Sequence, residues 1–256
     1  MRRASASVAA RNEAVVARLR ELKADHPFWG YRHCWAHLRY VDQLEVNKKR
    51  VYRLLKEHRL LATQTKHAVR RTSTRPKPRP DRPNQWWGID MTKVLTEQGW
   101  AYLVLVLDWH TKKVVGHHCG SRATSGDWLS ALDQGLNRQF PDGARKHHLH
   151  LMSDNGSQPT SERFMRTCSV LGIHQAFTSY NNPKGNADTE RMMRTIKEEL
   201  LWLREWHDPY EVSAAIRTWV EQYNESYLHS ALNYRTPNQA EETYNLTTRT
   251  LLETAC

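Results

Sequence analysis

Three acidic residues are placed where a fold could gather them around a charged centre. Asp90 lies in a strand-like run between Ile89 and Met91. An aspartate set among apolar neighbours needs a partner or a metal ion. Asp154 follows a second strand-like run, His148–Met152, and opens the turn sequence DNG. The end of a strand is where an α/β sheet exposes its working residues. Glu190 sits one turn into a helical pattern that begins near NPKGNAD. Converging carboxylates of this kind can hold two divalent cations, which activate an attacking hydroxyl and stabilise a leaving oxygen. Hard oxygen ligands without a thiolate suit Mg²⁺, with Mn²⁺ as a substitute. Phosphodiester chemistry calls for such a site because charge builds on the phosphorus oxygens in the transition state. Taken singly, each residue has a plainer reading: a salt-bridged strand aspartate, an ordinary DNG turn, a surface glutamate. Spacing and charge do not show that the three meet.

The elements that must position them follow from periodicity. Residues 11–24 form an amphipathic helix with Val15, Val16, Leu19 and Leu22 on one face, stopped by His26-Pro27. A turn at Gly30 feeds a second short helix, and Asn47 is placed to cap a third whose Val51, Leu54 and Leu55 share a face. Lys48, Lys49, Arg50 and Arg53 decorate its other side, so a helix-turn-helix with DNA contacts at these four residues competes with a plain helical hairpin. Residues 66–84 are basic and proline-rich, an extended linker. Beyond it come strands at Trp86–Val94, Trp100–Leu107 and Lys112–His118, spaced as an antiparallel meander. A helix over 124–138, the strand before Asp154, a helix Ser161–Leu171, a strand His174–Thr178 and helices Asn186–Trp202 and Tyr210–Tyr223 complete the order. This is a mixed α/β layer. The expected division is a helical region at 1–65, a linker at 66–84, a catalytic core at 85–240 and a tail at 241–256.

The chain of 256 residues carries 38 Lys+Arg against 27 Asp+Glu, a formal charge of +11. With 39% hydrophobic residues it can build a core. The positive surplus favours polyanions, nucleic acid first and an anionic membrane second. No apolar run reaches the length of a membrane span, and no apolar segment follows Arg2 and Arg3 as a secretory signal requires. The four cysteines have neither metal-ligand spacing nor a disulfide pattern. A reducing cytoplasm fits these four thiols. Adjacent histidines at 117–118 and 147–148 face opposite ways if they lie on strands, which argues against a zinc site.

Several blocks, taken in order, resemble a known family. Residues 85–118, QWWGIDMTKVLTEQGWAYLVLVLDWHTKKVVGHH, are similar to the opening block of the transposases of frameshifting copy-and-paste bacterial insertion sequences, specifically their second reading-frame product. These belong to the retroviral-integrase superfamily. SDNGSQ at 153–158 matches the second block, and NADTERMMRTIKEE at 186–199 the third. The 35 residues between Asp154 and Glu190 are that family's interval. HPFWGYR at 26–32 and NKKRVYRLLKEHRL at 47–60 resemble its N-terminal helix-turn-helix, and YNESYLHSALNYRTP at 223–237 its C-terminal signature. Gly88, Lys93, the Trp109–Thr111 run and Pro159 depart from the usual pattern, which commonly has threonine, tyrosine, a phenylalanine-serine-arginine type run and tyrosine there. No proposed ligand is lost.

The resemblance implies a ribonuclease-H-like core with a mixed five-stranded sheet, preceded by a helix-turn-helix domain. It implies Asp90, Asp154 and Glu190 as ligands of two Mg²⁺ ions. It gives Lys197 as a phosphate contact near the scissile bond, seven residues after Glu190 and so two helical turns along the same face. Lys184 is a weaker DNA contact, Asn186 a cap for the catalytic helix, and Asn155 and Gly156 shape the turn that presents Asp154. His229 falls in the C-terminal signature without an assignable chemical role. The implied partners are double-stranded DNA at element ends and targets, further copies of the chain in a synaptic complex, and a first-frame product joined by frameshifting. The implied reaction is strand cleavage and strand transfer, with a regulatory DNA-binding protein and a purely hydrolytic nuclease as rivals.

Overall fold

A cluster of apolar side chains explains the first sixty residues. The computed structural model describes residues 6–62, 78–178 and 183–254, so most of the basic proline-rich run lies outside the described residues. Two units separate, residues 1–70 and 71–256. In the first, α1 (Ala6–Asp25), α2 (Tyr31–Tyr40) and α3 (Lys48–Glu57) bury Leu19, Leu22, Cys34, Leu38, Val51, Leu54 and Leu55 against one another. The Asn47 side chain accepts a hydrogen bond from the Lys49 amide at 2.8 Å and caps α3 as expected. Arg18 forks onto both Asp42 carboxylate oxygens at 2.9 and 3.0 Å, tying α1 to the turn after α2.

The second unit is built on the strand β2 (Gly99–Asp108). Its run AYLVLVLD is apolar at nearly every position because both faces are covered. Leu103, Leu105 and Leu107 point into one core, and Val104 and Val106 into the other. β1 (Trp86–Thr96) and β3 (Val114–Gly120) flank it antiparallel, so the expected meander forms. The chain then crosses through α4 (Ser125–Gln139) to β4 (His150–Ser153), which adds parallel to β1, and through α5 (Glu162–Val170) to β5 (His174–Phe177), parallel to β4. The strand order is β3-β2-β1-β4-β5. The helices α4 and α5 cover one face through Trp128, Leu132, Phe164 and Cys168. On the other face lie α6 (Ala187–Ile196) and α7 (Pro209–Ser226), through Met192, Ile196, Ile216 and Val220. This is the ribonuclease-H-like architecture.

One difference from the expected elements bears on function. The helix expected over 186–202 is interrupted: α6 ends at Ile196 and a π-helical turn runs from Lys197 to Leu201. The last described segment is the helix α8 (Pro237–Thr254). Among the described residues no helix is long and apolar enough to cross a membrane.

Candidate active site

Strand register brings the first two acids together. Trp86, Trp87 and Gly88 of β1 pair in parallel with His150, Leu151 and Met152 of β4. Carrying that register two residues further sets Asp90 level with Asp154, just past the end of β4. Neighbouring strands lie about 4.8 Å apart. Glu190 arrives from the first turn of α6, which packs across β1. Asp90 is half-buried, whereas Asp154 and Glu190 are exposed.

The charges of the other two acids reach Asp90. Burial pushes the Asp90 carboxyl up to about 6, and the charges of Asp154 and Glu190 push the same way; the Met91 amide and Lys197 oppose them. Partial burial also raises Glu190 above the usual carboxylate range. The Asp90 Oδ1 accepts from the Met91 amide at 2.8 Å, and the Asp154 Oδ1 from the Gly156 amide at 3.1 Å. Asn155 donates to the Thr178 carbonyl at 2.7 Å and fastens the turn to the end of β5. Gly156 has no unusual backbone angle, and a Cβ there would meet the exposed Asp154 side chain, with Oδ1 at 3.1 Å. Among the described residues no three His, Cys, Asp or Glu groups already converge closely enough to hold an ion. The Asp154 and Glu190 side chains are exposed. The all-carboxylate chemistry of the three acids fits a hard divalent cation. The described cysteines do not compete, since burial pushes Cys34 up to about 11 and Cys119 and Cys168 to about 12.

The chain grips the start of α6 through residues to which spacing alone assigns no role. The buried Trp109 indole donates to Thr189 Oγ1 at 3.0 Å. Lys112 bridges to Asp188 at 3.1 Å and donates to the Trp109 carbonyl at 2.5 Å. Asn186 occupies the cap position but makes no capping bond; its amide donates instead to the Ile89 carbonyl at 3.4 Å, beside Asp90. Gly88 explains its own identity: a Cβ would lie 1.9 Å from Thr189 Oγ1 and 2.5 Å from Trp109 Nε1. The C-terminal signature supports this turn from behind. Tyr223 donates to the Lys112 carbonyl at 2.9 Å, with His229 Nε2 also 2.9 Å from its hydroxyl. The only sequence signals for this network are the departures at Gly88 and Trp109 and the clustered aromatics at 223–229.

The remaining predicted contacts are scattered. Lys197 begins the π turn and its charge reaches Asp90. Lys184 lies on the 3₁₀ turn Pro183–Asn186, and its side chain lies outside the described residues. On α3, Lys48 stacks over Trp35 at 4.0 Å, Arg50 binds the Asn12 side chain at 2.8 and 3.0 Å, Arg53 approaches Glu57 at 3.6 Å, and Lys49 is exposed.

Comparison with known proteins agrees with this layout. An HTH-like domain model matches residues 10–68, and two integrase core domain models match residues 80–183 and 171–237. The transposase for insertion sequence element IS629 of Shigella sonnei is 30% identical over 164 residues, covering 64% of this chain and 54% of that protein. The chain thus spans about half the length of that relative. Transposase InsD for insertion element IS2A/D/F/H/I/K of Escherichia coli is 26% identical over 234 residues, covering 88% of this chain and 77% of that protein. A chain in the solved intasome of simian T-cell lymphotropic virus, in complex with PP2A regulatory subunit B56 gamma, is 17% identical. It superposes with a TM-score of 0.50 over 80% of this chain and 73% of its own, a likeness of fold. With the two integrase core matches together running over residues 80–237, more than half its length, the chain belongs to the retroviral-integrase superfamily, among the relatives of insertion-sequence transposases.

Proposed function

We propose that this protein is a DNA transposase that cleaves and joins strands at the ends of an insertion sequence, with Asp90, Asp154 and Glu190 as its catalytic acids. The observation that carries the reading is the β1–β4 register, which carried two residues on sets Asp90 of β1 level with Asp154 just past the end of β4, with Glu190 on the helix α6 that packs on β1. Two divalent cations held by these acids, Mg²⁺ or Mn²⁺, would activate the attacking oxygen and balance charge on the phosphorus. Asp90 must give up its proton to bind a cation, and its raised affinity for that proton links binding to pH. Lys197 neutralises a phosphate beside the acids. Water first breaks one phosphodiester bond and leaves a 3′-hydroxyl. That hydroxyl then attacks a phosphodiester of another strand, so one P–O bond forms as another breaks and the leaving oxygen takes up a proton. Lys48, Lys49, Arg50 and Arg53 on α3 and Lys184 before α6 hold DNA phosphates, which position the duplex without reading its sequence. Joining two ends calls for more than one copy of the chain, and the family pattern supports a first-frame product as a further partner.

The test is strand transfer on a labelled oligonucleotide carrying the element end, with Mn²⁺ or Mg²⁺. Joined products from the wild type, cut by more than about 100-fold in Glu190→Gln, are expected; losing a direct metal ligand should exceed the cost of losing an outer-shell partner. Hydrolysis without joining would replace the reading with a nuclease. End binding without either reaction, in the chain and in its first-frame fusion, would leave only a DNA-binding role.

A further inference from the structure

A cleft of about 420 Å³ opens between the far end of the β1–β2 hairpin and the segment that begins with the π turn. Its walls include Lys93, Leu95, Lys197, Trp202 and Arg204. Large apolar side chains are turned outward here: Trp202 is 62% exposed, Leu95 63%, and neighbouring Trp100 41%. Isolated exposed hydrophobics need no explanation, but these are grouped and ringed by cations. Lys93 lies over the Trp100 ring at 4.3 Å, and Arg204 over Trp206 at 4.0 Å.

The π turn creates the arrangement. Trp202 N–H bonds the Lys197 carbonyl five residues back, at 2.9 Å. The fully buried position after Ile196 is Leu201, 4% exposed and five residues on, while Leu200 is half-buried against the same core. Trp202 is released to the surface. Single π turns inside α-helices frequently mark functional sites. Lys197 belongs to both places, lining the cleft and acting on the Asp90 charge.

We propose that this cleft holds an unpaired DNA strand next to the scissile phosphate, with a base stacked on Trp202 and the backbone held by Lys93, Lys197 and Arg204. A duplex turns its phosphates outward and would gain from the cations but nothing from the aromatic and aliphatic surface. An unpaired base offers a π-face to Trp202, and aromatic platforms beside cations are how single strands are bound. Two acids limit the site to a short stretch: Glu205 is on the wall, and Glu97 is engaged by His207 Nδ1 at 2.7 Å. The inference rests on the transposase reading and names the form of DNA beside its acids.

The experiment compares the full chain's affinity for a blunt duplex with that for the same duplex carrying a three-nucleotide unpaired end, by fluorescence anisotropy. A 2-aminopurine in the overhang reports stacking. The wild type should prefer the unpaired end by about five- to fiftyfold, the worth of one or two stacked bases, and quench the probe. Trp202→Ala should bring that ratio to about one, with Trp202→Phe restoring most of it. A ratio unmoved by Trp202→Ala, or near one in the wild type, overturns the proposal while leaving blunt-end joining, and so the transposase reading, intact. Loss of self-association in Trp202→Ala, seen by sedimentation with the ratio unchanged, assigns the face to a second copy instead. Binding of neither DNA overturns both readings.

Discussion

At the scale of single residues, Asp90 has a measurable signature. A carboxyl held near 6 in the fold and near its ordinary value in the unfolded chain binds more protons when folded. Its ionisation therefore works against folding, increasingly as pH rises from about 4 to 6 and fully above that. Asp90→Asn removes the penalty. Without added divalent ions it should melt above the wild type at pH 7.5, by about 2–4 °C for each kcal/mol relieved in a domain of this size. The difference should shrink as pH falls from about 6 and vanish only below about pH 3, where Asp90 is protonated in the folded and the unfolded wild-type chain alike. A variant that melts lower at pH 7.5 would show that the carboxylate is instead held by a stabilising partner. Cation binding runs the other way. Titration with Mn²⁺ should show apparent affinity falling by about tenfold from pH 7 to pH 5, because only a small fraction of Asp90 is ionised at the lower pH. A flat profile would remove Asp90 from the ligand set.

At the scale of elements, the first turn of α6 decides the site. Gly88, Trp109 and Lys112 clasp it from β1 and the β2–β3 turn, and Asn186 at its own start donates to Ile89 of β1. Gly88→Ala inserts a methyl where the nearest atoms stand 1.9 and 2.5 Å away. Urea unfolding should register a loss of about 1–3 kcal/mol or more, since overpacking forces the helix outward. Joining activity should fall further than stability explains, because the displaced element carries Glu190. Native stability and full activity in Gly88→Ala would disprove the clasp. The interruption after Ile196 has the opposite character. The KEELL run at 197–201 reads as helix continuation, since a π turn has no distinct residue pattern; with it, Leu201 is buried in the core that α7 also lines.

At the scale of the whole molecule, the surplus of eleven positive charges predicts how DNA binding responds to salt. Each phosphate neutralised contributes a slope of about −0.9 to log affinity against log salt. Binding of a blunt duplex should weaken by at least about tenfold between 50 and 200 mM salt, measured by anisotropy. Lys49→Ala should reduce the slope by about one without altering which sequence is preferred. An unchanged slope would take α3 out of the DNA surface. Each unit also has a core of its own: α1–α3 close around Leu19 and Leu54, while the sheet and its helices close around Leu105 and Trp87.

Much of this is already legible in the residues. The period-two and period-3.6 patterns mark nearly every element, because burial of one face or both leaves a direct imprint on side-chain type. The ordered acidic blocks around Asp90, Asp154 and Glu190 mark the family, because chemistry restricts residue types more tightly than packing does. Contacts between distant segments leave no such imprint. That Asp90 stands level with Asp154 follows from the parallel pairing of β1 with β4, which begin some sixty residues apart. Asn186 reads as a cap and serves as a cross-brace to β1. His229 acquires a partner only when the C-terminal segment folds behind Lys112. The sequence by itself determined which elements form and which acids they carry, since both are written in local residue type. Only the tertiary structure decided which strand runs beside Asp90 and what holds the helix that carries Glu190, since that depends on strand register and on packing between residues remote along the chain.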